Sequence, residues 1–499
     1  MSKKYADYMD EISLDDLYEG LLAHGLFSSK IPPVFDSVAF FDYCKNNNPT
    51  FSKKAYDYIR YDTMRNTNTP RELGIPVPMA YEALCTVLKT NWSKLQTHFH
   101  TYTDGQGHII SRNHIQLRKN KKELFEMNYD DWRNAGSPKD DLLIGKRFVV
   151  KADISTCFPS IYTHSIPWAL VGKATAKQNR RNGWYNKIDK ACQNVKYEET
   201  HGLLIGPHAS NLISEVILTV VDYNLYTKGW RYIRNIDDYT CYVETKDKAE
   251  SFITDLIDEL AKFDLPLNHK KTKIEELPCS ALEYWVRKLN EFDLLTAGGT
   301  VDYKQARAYF DLAVELMKSS GENASVLNYA IKVLSEKDLT ESAKAYSWKM
   351  SMHLCLIYPY LISLMEEKVF AAFAAPDRAI EDFINKAYDD GLSKRNYEEC
   401  AYALYLAIKH PTQVQNLNTT NVIQSDDCVY KTMAWLYYKK NNDTASVTAL
   451  HGDAVSLAQN DFDRNWIFEY EVLKETELSD DWKQLKRNNI SFLKSEYQY

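Results

Sequence analysis

The chain has 499 residues, of which 44% are hydrophobic and 26% charged. That is the balance of a soluble globular protein of roughly two or three domains, and it excludes disordered and fibrous classes. The net charge of −7 excludes a globally basic nucleic-acid binder, so any nucleic-acid path has to be a local basic groove.

Met1 to Glu19 is polar and acidic, unlike a secretory leader. Residues 1–145 read as helical with loops, an amino-terminal fingers-like region. Ser13 to Gly25 has helical spacing behind a capping serine, with Asp15 and Asp16 in the first turn. Ile31-Pro32-Pro33 breaks that run, and Phe51 to Arg65 is aromatic and basic. Ile75-Pro76-Val77-Pro78 is an extended connector, and Tyr81 to Leu95 resumes a helical period. Basic residues gather at Arg112, Arg118, Lys119, Lys121 and Lys122.

Residues 146–295 alternate strands and helices, which predicts a mixed sheet with helices packed on it. Arg147 to Ile154 and Tyr232 to Val243 read as strand and hairpin, Asn211 to Tyr226 and Lys246 to Phe263 as helices. Residues 296–499 change to successive helices: Lys304–Ser319, Ala324–Ser335, Ser342–Val369, Ile380–Ala387, Tyr397–Lys409, Val429–Lys439, Ala445–Ala458 and Trp482–Tyr497. Paired helices of this kind stack as an α-solenoid, although no clean sequence repeat shows. The fold class expected is α+β, with an all-α carboxy-terminal domain. His353 to Met365 is too short for a membrane span and contains Tyr and Pro, so no membrane partner is expected and a cytoplasmic location is. The nine cysteines are scattered, with no CxxC pair and no His/Cys ligand spacing, which fits a reduced interior without zinc. Most of the 35 tyrosines belong in the core.

The chemistry concentrates in Asn235-Ile236-Asp237-Asp238. Apolar and aromatic stretches flank it, so the acid pair sits at the tip of a strand–turn–strand. A further acid, Asp153, ends the strand Phe148-Val149-Val150-Lys151-Ala152-Asp153. If the two elements meet, three carboxylates can hold two Mg²⁺ ions about 3.5–4 Å apart, a clamp for phosphoryl transfer. Lys177, Arg180 and Arg181, with Trp184 and Tyr185 beside them, suit a single-strand path through phosphate neutralisation and base stacking.

Four stretches in this order resemble the catalytic blocks of reverse transcriptases. Lys151 to Phe158 is similar to the first, Gly202 to Ser210 to the second, Asn235 to Asp238 to the third, and Asn268-His269-Lys270-Lys271-Thr272-Lys273 to the fourth. Ile205 replaces the usual glutamine of the second block, Pro207-His208 its serine-proline, and Asn235 the usual tyrosine of the third. The resemblance implies Asp153, Ile154, Asp237 and Asp238 as the metal set for two Mg²⁺, or Mn²⁺. It implies Phe158 beneath the incoming sugar, excluding a 2′-hydroxyl, Gly206 beneath a base, and Lys271 at the triphosphate.

Phe158 to Trp168, Lys177 to Arg181 and Tyr197 to Gly202 further resemble the bacterial abortive-infection reverse transcriptases, the AbiK-like family. What that implies is specific. Fingers and palm precede a HEAT-like helical-repeat domain, and dNTPs are polymerised without a template. A protein hydroxyl primes the product, a single-stranded DNA that stays attached. The chains form homo-oligomers, trimers or hexamers, and act against phage in the bacterial cytoplasm. The priming residue is not readable; Tyr5 and Tyr8, then Tyr497 and Tyr499, are weak candidates. The alternatives are an RNA-templated reverse transcriptase making a defined cDNA, and a helical-repeat binding scaffold with an inactive palm.

Overall fold

A computed structural model describes residues 3–66, 69–113, 115–117, 124, 138–280, 282–292, 294 and 299–499. Arg118, Lys119, Lys121 and Lys122 lie outside the described residues.

The amino-terminal region starts as the sequence predicts. Ser13 caps the helix Leu14–Leu22 by accepting from Asp16 N, and the Asp16 carboxylate accepts from Ser13 N. Pro78 opens the helix Pro78–Thr90, where its missing N–H costs nothing. The region is not all helical. Strands β1 (Tyr58–Asn66) and β2 (Thr69–Pro76) pair antiparallel, with Tyr58 opposite Pro76 and Thr63 opposite Arg71. The expected helix Tyr81 to Leu95 is also two, because Asn91 interrupts it before Trp92–Thr103.

A four-stranded antiparallel sheet follows, ordered β4-β5-β3-β6, from β3 (Phe148–Asp153), β4 (Tyr232–Asn235), β5 (Asp238–Val243) and β6 (Lys273–Glu276). Strand β3 is interior, so Val149, Val150 and Ala152 are buried, while Lys151 points outward to Glu275 on β6 at 2.7 Å. The helix Lys246–Ala261 packs on β3 and β5, with His208–Thr227 alongside it. The latter is buried along most of its 20 residues. Ile110 to Asn113 zips onto β4, Arg234 N donating to Ile110 O at 2.8 Å and Arg112 N to Arg234 O at 2.7 Å.

From Tyr303 the described residues form helices joined by short turns. Asp377–Lys394 packs on Tyr397–Lys409, Tyr397–Lys409 on Cys428–Lys440, and both Cys428–Lys440 and Thr444–Ala458 pack on Phe462–Val472. Two expected helices are shorter than their hydrophobic pattern. Ser342 to Val369 divides into the helix Glu341–Ile357, a 3₁₀ turn Pro359–Leu364 and a π turn Met365–Ala371, because Pro359 offers no N–H to the turn before it. Trp482 to Tyr497 is helical only in Asp480–Arg487 and a final 3₁₀ turn. The residues between run extended beside Val34 to Asp36, with Asp36 N donating to Phe492 O and Lys494 N to Val34 O.

The helical region is docked on the amino-terminal one. Trp466, fully buried, stacks with Phe27 and meets Phe492 edge-on, and its Nε1 donates to Ile75 O at 3.4 Å. Arg464 pairs with Asp57 at 2.8 Å, and Glu398 accepts from Met64 N at 2.6 Å. No helix among the described residues is long and apolar enough to cross a membrane.

Candidate active site

The sheet register brings the acids together. Asp153, last in β3, lies opposite Asp238, first in β5, and Ile154 N donates to Asp237 O at 3.1 Å. Asp153 is almost buried. Its two carboxylate oxygens face donors from one turn, Asn268 Nδ2 to Oδ1 at 3.0 Å and Lys271 Nζ to Oδ2 at 2.8 Å. Asn268 N also donates to Asp153 O, so this turn is bound to the end of β3 by backbone and side chain alike.

Like charges crowded here resist ionisation. Burial, then Asp153, push the Asp237 carboxyl above its ordinary range. Asp238 is pushed up to about 6, by withdrawal from water, then by Asp237 and Asp153. Asp238 nonetheless keeps one side exposed to solvent. Three hard-oxygen donors in mutual repulsion fit Mg²⁺, which relieves the repulsion by binding. Among the described residues no three acidic, histidine or cysteine side chains form a ready-made metal cage. Lys271 holds the place beside Asp153 that a cation would share.

Phe158 lies in the short helix Cys157–Ser160, which starts from Thr156 in the left-handed region at φ 44°. It is almost buried, and its carbonyl accepts from Leu203 N at 2.8 Å, so the first and second blocks are in contact. Gly206 has φ +125°, a conformation that a side chain disfavours, and a Cβ there would meet Gly74 O of β2 at 3.5 Å. Gly74 N in turn donates to Ile205 O at 2.9 Å, stapling β2 to this loop. Arg71, also on β2, bears electrostatically on Asp237 and favours its charged form.

Lys177, Arg180 and Arg181 are exposed on and after the helix Lys173–Gln178, and Arg180 Nε donates to Lys177 O at 3.2 Å. Trp184 beside them meets Tyr185 edge-on. A set of rings involves the helix Ser165–Val171, which packs against Lys173–Gln178: Tyr162 stacks on His201 at 5.0 Å and meets His164 and Trp168 edge-on, with Lys173 over Trp168 at 3.7 Å. Arg112 is buried against β4, away from solvent. Tyr5 is buried, and its hydroxyl donates to Asn113 O at 2.9 Å and to Glu215 at 3.0 Å. Burial and Glu215 raise its pKa well above the ordinary range. This is not the setting of a waiting nucleophile. Tyr8 and Tyr497 are also buried, and Tyr499 is 44% exposed.

Sequence reading missed three participants. Asn268 was visible only as the first residue of the fourth block. Arg71 is distant from the acids in sequence, and only the fold brings its charge to bear on Asp237. Glu215, in the middle of an apolar helix, carries the signal of a buried acid but no hint of its partner.

Residues 86–294 match the reverse transcriptase (RNA-dependent DNA polymerase) family. No curated protein matches the chain. Among solved structures, apo telomerase from Candida tropicalis truncated from its C-terminal domain is 15% identical, over 48% of this chain and 54% of that one, with a TM-score of 0.30. Apo telomerase from the same organism is 13% identical over 72% of each chain, with a TM-score of 0.33. Telomerase from Candida albicans in complex with a TWJ fragment of telomeric RNA is 12% identical over 76% of this chain and 67% of that one, with a TM-score of 0.30. The chain thus spans about half the length of the first of these. The matched stretch, residues 86–294, holds Asp153, Asp237 and Asp238, so the carboxylate site lies inside the region that resembles a reverse transcriptase.

Proposed function

We propose that the protein is an antiphage DNA polymerase of the AbiK-like abortive-infection kind, which joins dNTPs without a template. The observation that carries the reading is the meeting of Asp153, Asp237 and Asp238 at the paired ends of β3 and β5, with Lys271 on Asp153. Asp153, Ile154, Asp237 and Asp238 are the proposed holders of two Mg²⁺ or Mn²⁺ ions. Bound there, the ions would polarise the attacking hydroxyl and the leaving pyrophosphate oxygens. The chain's own residues do the rest. Lys271, already in a charge-assisted contact with Asp153, would serve the triphosphate oxygens as a point charge. Phe158 closes the sugar side against a 2′-hydroxyl, and Gly206 leaves room beneath a base.

The product in this reading is single-stranded DNA covalently held on a protein hydroxyl. Lys177, Arg180 and Arg181, with Tyr162, His201 and Trp168 nearby, have the mixture of cations and rings that a single strand needs. The helices after Tyr303 serve as a HEAT-like scaffold in place of a thumb, in a trimer or hexamer in the bacterial cytoplasm. The proposed divisions are 1–145, 146–295 and 296–499.

A second reading is an RNA-templated reverse transcriptase making a defined cDNA, favoured by the matched family's description. Purified protein incubated with Mg²⁺ and each labelled dNTP, without template or primer, separates the two. Label that runs with the protein on denaturing gels and is released by protease supports protein-primed, untemplated synthesis. Synthesis only after RNA is added supports the templated reading. Equal phage protection by an Asp237→Ala, Asp238→Ala protein would reduce the palm to a scaffold.

A further inference from the structure

The turn that presents the acid pair does not hold itself. Ile236, between Asn235 and Asp237, has φ 55°. A β-branched side chain resists that left-handed conformation. Asn235 adds no side-chain anchor, since its Oδ1 is buried with no hydrogen-bond partner among the described residues. The anchor comes from Arg234, whose Nη1 donates to Ile236 O at 2.7 Å.

Arg234 is fully buried, and every one of its side-chain N–H groups has an acceptor. Nη1 and Nη2 donate to the two oxygens of Glu215 at 2.9 and 3.1 Å. Nε and Nη2 donate to Asp222, the latter at 2.6 Å. Glu215 and Asp222 sit two turns apart on the helix His208–Thr227, so they close on the guanidinium from one helix face like two jaws. The jaws are fixed in turn. Ser111 Oγ and the Tyr5 hydroxyl donate to Glu215 at 2.9 and 3.0 Å, and the Tyr232 hydroxyl donates to Asp222 at 2.8 Å. The guanidinium has no room to turn away from Ile236.

A buried charge cluster is a poor device for stability alone, because desolvation offsets most of its Coulomb gain and apolar packing does as well. What apolar packing does not supply is an N–H aimed at one carbonyl. We infer that Arg234, clamped by Glu215 and Asp222, is a positioning residue that holds the Ile236 backbone and so aims the Asp237 and Asp238 carboxylates. The inference rests on the metal role proposed for those acids. Lysine in its place keeps the charge but not the planar fork that spans two carboxylates and a carbonyl.

Mn²⁺ titration followed by electron paramagnetic resonance tests it, alongside dNTP incorporation kinetics and thermal melting. For folded Arg234→Lys the expectation is Mn²⁺ binding weakened about fivefold or more and kcat lowered about tenfold or more, with KM for dNTP within about twofold. If Arg234→Lys loses its cooperative melt, Asp222→Asn carries the test, since the amide keeps the shape of one jaw. It is expected to weaken Mn²⁺ binding and kcat in the same direction. A lower melting temperature with unchanged Mn²⁺ affinity and unchanged kcat per folded molecule would overturn the inference and leave a structural cluster. An Asp237→Asn, Asp238→Asn control separates the layers. If it binds Mn²⁺ as the wild type does, the metal role of the acids falls, and the inference with it.

Discussion

The acids of the cleft cannot act independently at the scale of single residues. Asp153 shares its carboxylate with Asn268 and Lys271, and Asp238 shares its field with Asp237. Lys271→Ala leaves Asp153 without its cation and, in the proposed function, the triphosphate without a point charge. The expected loss is about 10²-fold in kcat, the usual scale for a positioned proton or charge donor, read by single-turnover incorporation. In the proposed function Phe158 closes the sugar side, and Phe158→Ala opens it. Its expected effect is a rise of about tenfold or more in ribonucleotide use relative to dNTP, on the scale of a lost steric contact, measured by competition. The acid pair and Asp153 were legible in the sequence because Asp153 ends a short apolar strand and the pair sits at the turn between two others. The clamp on Arg234 was not, because Glu215 and Asp222 lie in a helix whose apolar residues mask them and whose partner is reached only through the tertiary fold.

Among the elements, legibility followed the strength of the periodic signal. The helices Lys246–Ala261 and Tyr303–Ser319 are amphipathic and capped, by Thr245 and by an Asp302–Gln305 box, and both were read. The pair β1–β2 was not, because Arg60, Asp62, Arg65, Arg71 and Glu72 dilute its alternation and Pro70 and Pro76 argue against a strand. Strand β6 is four residues of mostly polar sequence and carries no pattern.

The carboxy-terminal helices hold a further element-scale property. Burial raises Glu398 to about 7, Glu399 to about 8, Asp427 to about 7 and Glu469 to about 9. Both Glu469 oxygens lack a hydrogen-bond partner among the described residues. These acids bind protons more tightly folded than unfolded, so the folded state holds more protons between about pH 4 and 9 and stability falls as pH rises through that window. Each group contributes at most about 1.4 kcal/mol per pH unit, and only up to its folded pKa. Melting temperature is therefore expected to drop steadily from pH 5 to pH 9. Glu469→Gln, which carries no titrating proton, is expected to flatten the slope, measured by calorimetry across that range.

Across the whole molecule, the helical region and the amino-terminal region share one core. Trp466 sits where they join, with Phe27, Trp482 and Phe492 around it, and the last residues pair with Val34 to Asp36. Strand β2 is thus fixed between this core and the Gly206 loop through Gly74. Trp466→Ala removes the largest side chain of that junction, at an expected cost of about 3–5 kcal/mol. One cooperative melt, shifted down, with incorporation lost at the same temperature, is the outcome expected; two separated transitions would show that the regions fold apart.

The central claim is that Asp153, Asp237 and Asp238 together carry phosphoryl transfer. The most direct measurement compares Mg²⁺-dependent incorporation of labelled dNTP by wild-type protein and by an Asp237→Asn, Asp238→Asn protein that melts at or above the wild-type temperature. Incorporation by the wild type, and a loss of about 10³-fold or more in the variant, is the result predicted. Equal incorporation by a folded variant would place the chemistry elsewhere and contradict the account.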